Sequence, residues 1–156
     1  NNEANCDIYG GLYQWDEMMQ YLTQEGTQGI CPAGWHIPTD AEWCILEQTV
    51  DPTITCSSTD WRGIDGGGKL KEAGTTHWGP PNTGATNSSG FTALPGGYLT
   101  GENEFYNIGA GSFLWSSSDF ATTNSWRRTL GDASSQVYRS NDVPKVLGFS
   151  VRCLKD

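Results

Sequence analysis

Gly148-Phe149-Ser150-Val151-Arg152-Cys153 stands three residues from the end of the chain and decides how the rest is read. Phe149 and Val151 alternate with Ser150 and Arg152, the period of a strand with one buried face, and the run ends in a cysteine able to pin it elsewhere. A terminal strand held in this way is scaffold. Upstream of it, from about Phe113 to Leu147, short strand-like runs alternate with polar loops: Ser112–Ser118, Ser125–Leu130 and Ser135–Arg139. Further back, Phe91–Tyr98 reads as a strand entering a turn and Phe105–Ile108 as a second short extended piece. Short strands at this spacing joined by turns predict an antiparallel sheet.

The first third of the chain carries helical signals instead. The run Ile8–Tyr13 reads as extended and broken by Gly10-Gly11. Trp15, Met18, Met19 and Leu22 fall at i, i+3, i+4 and i+7, one apolar stripe of a short helix with Asp16 and Glu17 in its first turn. Thr39 and Glu42 have the spacing of a capping box, which predicts a second helix from about Asp40 to about Thr49, with Trp43, Leu46 and Val50 buried and Asp51-Pro52 ending it. Residues 51–90 read as mostly loop. Gly66-Gly67-Gly68-Lys69 lacks the spacing of a phosphate-binding loop, and its glycines are expected to let Leu70 pack while Lys69 and Lys71 stay in water. Helices first and strands later make the class α+β, with two short helices, a small antiparallel sheet and many loops.

At 156 residues the chain fits a single domain, taken as 1–156. A net charge of -9 argues against nucleic acid and against an anionic membrane, both of which need a positive surface. Twenty glycines and seven tryptophans describe a loop-rich, aromatic-cored fold. Five cysteines without a C-x-x-C pair, and two histidines, His36 and His77, far apart in sequence, give a zinc site little support. Disulfides in an oxidising, extracellular or cell-surface compartment fit better. Cys44 with Cys56 would close a short loop, and Cys31 with Cys153 would tie the middle of the chain to its last strand. Each would contribute roughly 3 to 5 kcal/mol by loop closure. Cys6 is then left over. With no signal peptide or apolar anchor ahead of it, the expected reading is a mature or excised piece in which Cys6 has lost an upstream partner, the alternative being a free thiol.

Six motifs in order resemble the Fibrobacter succinogenes major paralogous domain. They are Tyr9-Gly10-Gly11-Leu12-Tyr13-Gln14-Trp15, the run Cys31–Trp43, Gly68-Lys69-Leu70-Lys71, Gly90–Tyr98, Trp115-Ser116-Ser117-Ser118 and Gly148–Cys153. The resemblance implies a C-type-lectin-like fold of the kind seen in formylglycine-generating enzymes, a place on or outside the cell, a Cys31–Cys153 bond, and further residues upstream that include a mate for Cys6. It brings no established activity. Between the Trp-Ser-Ser motif and the closing strand this chain departs from the Asn-, Tyr- and Ser-rich pattern of many members. That departure fits a surface diversified by a retroelement, as in variable proteins that use this fold.

An oxidase would need an exposed, activated thiol, and no cysteine here is flanked by a base. Glu102 with Glu104, or Asp60 with Asp65, could be offered as hydrolytic pairs, but they sit in polar loops where a solvated charge is the default. Their better special role is calcium, carried as a candidate cofactor without EF-hand spacing. No enzyme is expected. The expected function is an extracellular ligand-binding or adhesion module that presents loops on a rigid frame to a protein or glycan, with a surface-fibre assembly subunit as runner-up. The candidate contact residues are Phe120, Trp126, Arg128, Asp132, Tyr138, Asp142, Val143, Val146 and Leu147, since aromatic and Arg side chains on loops dominate binding energy.

Overall fold

A computed structural model describes residues 3–156. The class is α+β, with four short helices among the described residues in place of the two expected and a mostly antiparallel sheet. Helix α1 (Glu3–Tyr9) takes in Ile8 and Tyr9, which the sequence places in an extended run. It stops because Gly10 adopts φ +78°, the left-handed conformation that ends helices and suits glycine. Helix α2 (Trp15–Met18) buries Trp15, Met18 and Met19 as their spacing predicts. Gln20 and Tyr21 then turn at positive φ, so the stripe ends one turn early and Leu22 is exposed. Helix α3 (Asp40–Val50) begins at the predicted box: Glu42 N donates to Thr39 Oγ1, and Thr39 N donates to Glu42 Oε2.

The segment expected to be loop holds β2 (Asp60–Arg62) and α4 (Gly66–Leu70). Glycine is required in α4 by contact. A Cβ on Gly67 would lie 2.1 Å from Gln136 O, and one on Gly68 2.2 Å from Gly84 O. Lys71, expected in water, is fully buried. Its Nζ donates to the carbonyls of Thr83, Gly131 and Ser134 at 2.8–3.0 Å, and burial pushes its pKa down to about 8.

The main sheet has six strands in the order β2-β7-β6-β5-β3-β4, where β3 is Gly96–Leu99, β4 Phe105–Ile108, β5 Gly111–Ala121, β6 Asn124–Gly131 and β7 Val137–Pro144. Among the described strands β3 and β5 pair in parallel and the other pairs are antiparallel. Strand β3 starts at Gly96, later than the run from Phe91 implies. A second sheet joins β1 (Trp35–His36) to β8 (Leu154–Lys155). The closing stretch is not one regular strand. Its residues bridge singly to three partners, Gly148 to Leu99, Phe149 to Tyr13 and Ser150 to Leu114. It still does the work of a clasp, because Phe149 is 2% exposed in the core and Cys153 is bonded to Cys31. The second disulfide, Cys44–Cys56, ties α3 to the loop ahead of β2, and Cys6 is free and exposed.

Two core clusters flank the sheet. One gathers Trp15, Met18, Met19, Ile37, Trp115 and Phe149, and the other Ile54, Leu70, Trp78, Ala93, Leu130 and Val137. The Trp-Ser-Ser-Ser motif stitches the early loops to β5. Trp15 Nε1 donates to Ser116 O, Ser117 Oγ to Ile37 O, and Ser118 Oγ to Glu25 Oε2, while Trp43 Nε1 donates to Trp115 O. These bonds satisfy polar groups that burial would otherwise leave unpaired.

Candidate functional site

The pleat of β6 sends neighbouring arginines to opposite faces of the sheet. Arg128 points to the α3 side. It is 1% exposed, its Nε donates to Glu47 Oε1 and its Nη1 to Asp40 Oδ1 at 2.6 Å. Arg62 Nη2 completes Glu47 at 2.5 Å, and Arg139 Nη2 reaches Asp40 Oδ2 at 2.7 Å. Arg128 is therefore a buried structural cation, and its expected place among the contact residues is corrected by its burial.

Arg127 points the other way and stands in the middle of an aromatic band. Its guanidinium lies 5.4 Å from the ring centres of both Phe113 and Tyr138 and 5.6 Å from that of Phe149. The band continues to both edges of the sheet. On one side Tyr138 meets Trp61 edge to face at 5.2 Å. On the other, Phe113 meets Tyr98 at 4.9 Å, and Tyr98 stacks on Tyr106 at 5.8 Å. The register explains the alignment, since Trp61 pairs with Tyr138, Tyr138 with Thr129, Thr129 with Phe113, and Tyr98 with Tyr106. All six strands thus contribute to one row, a span of about 24 Å at the usual strand spacing. The outer rings are the most accessible, Trp61 at 44% and Tyr106 at 46%. Their neighbours hold them in place: Tyr138 Oη donates to Asp60 Oδ1 and Tyr106 Oη to Glu104 Oε2, and each of these bonds raises the phenol's pKa.

Beside Arg127 the band opens into a cleft of about 380 Å³. Tyr98, Phe113 and Phe149 form its apolar wall, Asn107 and Asp142 its polar rim, and Val143, Pro144 and Leu147 its far side. Flat rings with a few converging polar groups make a surface able to hold a ligand that has an apolar face and hydrogen-bonding edges.

Of the residues expected at the site, Asp142, Val143 and Leu147 line this cleft and Tyr138 borders it. Val143 does so as a core side chain, 3% exposed. Phe120 and Trp126 form a separate pair at the far end of the β5–β6 hairpin, with the Arg139 guanidinium 3.5 Å from the Trp126 ring centre. Asp132 turns toward the residues that surround Lys71, where its charge favours the lysine's protonated form. Val146 is exposed, beside Gly101. Trp61, Tyr98, Tyr106, Phe113 and Arg127 are the residues that the sequence does not single out. No local signal marks them, because only the strand register brings them together.

Among the described residues, no group of three or more His, Cys, Asp or Glu side chains is placed to hold a metal ion. Glu102 and Glu104 are exposed, while Asp60 opens β2 and accepts from Tyr138 Oη, and Asp65 stands at the N-cap of α4 and pairs with Lys69. His36 bonds Asp156 and Glu42, and His77 bonds Glu72. No helix among the described residues is long and apolar enough to cross a membrane, and the two disulfides are consistent with an extracellular setting.

No curated protein and no solved structure matches the chain. Residues 1–155 match the Fibrobacter succinogenes major domain, and the chain belongs to that family.

Proposed function

We propose that this chain is an extracellular, non-enzymatic ligand-binding or adhesion module on a C-type-lectin-like scaffold, and that its ligand lies along the aromatic band. The observation that carries the reading is the row Trp61–Tyr138–Arg127–Phe113–Tyr98–Tyr106, in which residue types that dominate binding energy run across the whole sheet face. The scaffold assignment is supported by the closure of the chain on itself through β1–β8 and Cys31–Cys153. A binding role is supported by the four cysteines held in disulfides. The variable-receptor reading attaches to the same region. Asp142, Pro144 and Val146 are exposed and free to vary, whereas Val143 and Arg128 are held by the core.

The test is a protein and glycan array probed with the wild-type domain and with Trp61→Ala/Tyr106→Ala, each with calcium and with chelator. Both substitutions remove accessible rings, so the fold should survive them. Binders found by the wild type should be lost by the variant. Binders retained at full strength would move the site off this face, and binding abolished by chelation would restore calcium to it.

A second reading, a subunit of a surface assembly, is favoured by a different observation. Strand β4 is a sheet edge with all four residues exposed, and beside it a groove of about 580 Å³ runs along α1 between Tyr9, Leu12, Leu99, Phe105 and Ile108. Sedimentation velocity separates the two: a monomer at all concentrations favours recognition, and a concentration-dependent ladder favours assembly.

A further inference from the structure

Arg127 differs from the arginines on the opposite face in what balances it. Arg62, Arg128 and Arg139 each reach a carboxylate, whereas Arg127 makes no ion pair among the described residues. Its Nη1 donates to the Thr129 hydroxyl, and its buried Nε has no hydrogen-bond partner in the protein. Aromatic rings surround it, and burial lowers its pKa while the charge of Asp142 across the cleft works against that, so the cation is partly stripped of water with no anion in direct contact. The guanidinium also lines the 380 Å³ cleft. A ligand carboxylate arriving there would supply the missing counter-charge in the geometry that arginine favours.

The rest of the cleft narrows the ligand. Asp142, exposed and free of any cation within ion-pair distance among the described residues, can accept from hydroxyl groups, as can the Asn107 carboxamide. The rings of Tyr98 and Phe113 offer flat faces for the C–H side of a sugar ring. The band extends beyond the cleft on both sides, which suits a chain of such rings better than a single small molecule.

We propose that the Arg127 cleft is a subsite for the carboxylate of an acidic sugar, so that the band recognises uronate- or sialate-bearing oligosaccharides. This rests on the band being the binding face, and it adds the charge of what binds there.

The experiment is isothermal titration of the wild-type domain, in buffer of physiological ionic strength, with oligogalacturonate, oligoglucuronate and a sialylated trisaccharide. Each is compared with its own methyl ester, which keeps the shape and removes the charge. At least one acid should bind about tenfold or more tightly than its ester, the loss expected for one charge-assisted pair. In Arg127→Gln the acid should fall to the affinity that its ester shows for the same variant, so that the preference for charge disappears. Arg127→Lys should keep part of the preference, and thermal melting checks that both variants are folded. The comparison of acid with ester in wild type needs no variant. Esters that bind as tightly as acids would overturn the carboxylate subsite and leave the band as the binding face. Binding only of amine-bearing sugars would overturn it in favour of Asp142, and binding only of peptides with a free C-terminus would assign the Arg127 carboxylate site to a different class of ligand. No binding of any of these, together with array binders unaffected by Trp61→Ala/Tyr106→Ala, would remove both the subsite and the band.

Discussion

Glu47→Gln tests the assignment of Arg128 to structure more directly than any binding assay. Glu47 is fully buried on α3, and its two oxygens are divided between Arg62 of β2 and Arg128 of β6. Asp40, one end of the same helix, takes Arg128 and Arg139. The cluster therefore holds three arginines and two carboxylates, a net +1, and it is the polar joint between α3 and three strands. Removing one partner of a buried ion pair costs about 3–5 kcal/mol, because the charge left behind has lost its counter-ion and cannot reach water. Glu47→Gln keeps an acceptor oxygen but raises the cluster to +2, with Arg62 and Arg128 facing each other across a neutral amide. A loss of about 3 kcal/mol is expected, and Glu47→Ala, which removes the acceptor as well, should lie near the upper end of that range. At about 2–4 °C per kcal/mol for a domain of this size, the amide variant should melt about 6–12 °C lower.

Guanidinium denaturation followed by tryptophan fluorescence gives the free energy, and calorimetry gives the melting shift. Lys69→Ala is the internal control. Its ion pair with Asp65 is a surface i,i+4 contact, with side chains 33% and 50% exposed, and its Nζ also donates to Val50 O, so losing both should cost about 1 kcal/mol, well below the buried pair. Replacing the buried cluster by apolar side chains, Glu47→Met with Arg62→Met and Arg128→Leu, should recover most of the loss, since apolar packing carries no desolvation cost. A Glu47→Gln cost below about 1 kcal/mol would mean that water reaches the cluster, and the claim that Arg128 is sealed away from ligand would fall with it.

Asp51 is buried and accepts from Thr53 N and Oγ1 and from the backbone N–H groups of Ile64, Asp65 and Gly66. Burial pushes its pKa up, but these bonds outweigh it and hold the carboxyl well below the usual aspartate range. Its contribution should be complete above about pH 4 and fade as pH falls below that, and Asp51→Asn should cost about 2–3 kcal/mol at neutral pH and flatten this part of the acid titration of stability. For His36, the hydrogen bond to Asp156 raises the pKa, burial opposes it and Glu42 assists. Its contribution should be full below about pH 6.5 and vanish as pH rises through the folded value, an effect under about 1 kcal/mol that His36→Gln abolishes in denaturant melts. Lys71 has the opposite sign: with its folded pKa lowered to about 8, the unfolded state binds more protons above that pH, so stability should rise from about pH 8 until the unfolded lysine also titrates, near pH 10.5. Lys71→Met should lack this rise. Loss of Cys31–Cys153, which spans a sequence separation of 122, should cost about 5 kcal/mol against about 3 for Cys44–Cys56, separation 12, when each is replaced by a pair of serines and melted.

What could be read from the chain and what could not divide along one physical line. The α3 cap, the burial of Trp15, Met18 and Met19, and the strands around Trp115 and Leu130 follow from residues within a few positions of one another, and local chemistry settles them. The two disulfides needed only the pattern of five cysteines and the family resemblance. The burial of Lys71 is not legible locally, because its three carbonyl partners come from residues 83, 131 and 134, which nothing in the nearby sequence connects to it. Gly66-Gly67-Gly68 looked like a turn because the backbones that demand glycine there, at Gln136 and Gly84, are distant in sequence. The candidate site suffered in the same way. Asp142, Val143, Leu147 and Tyr138 were found through residue type and position, while the register that aligns Trp61, Phe113, Tyr98 and Tyr106 with them is a property of the sheet.

Arg127 and Arg128 put that dependence into one dipeptide. Identical side chains, adjacent in sequence, face opposite sides of β6, and a strand has no way to send both to the same side without a bulge between them. The irregularity in this strand's pairing lies earlier, between Ser125 and Arg127, so the alternation from Arg127 onward is intact. One arginine meets Glu47 and Asp40 and is neutralised; the other meets Phe113, Tyr138 and Phe149 and is not. The first face needs its charges paired to hold α3 against the sheet, and the pairing fixes the strands whose rings make up the second. A slip of one residue in β6 would turn Arg128 toward the rings and take Leu130 out of its core cluster. The acids of α3 therefore do more than stabilise a helix. By pairing with Arg128, Asp40 and Glu47 act together with buried Leu130 and Val137 to hold the register in which Arg127 faces the rings without an ion pair.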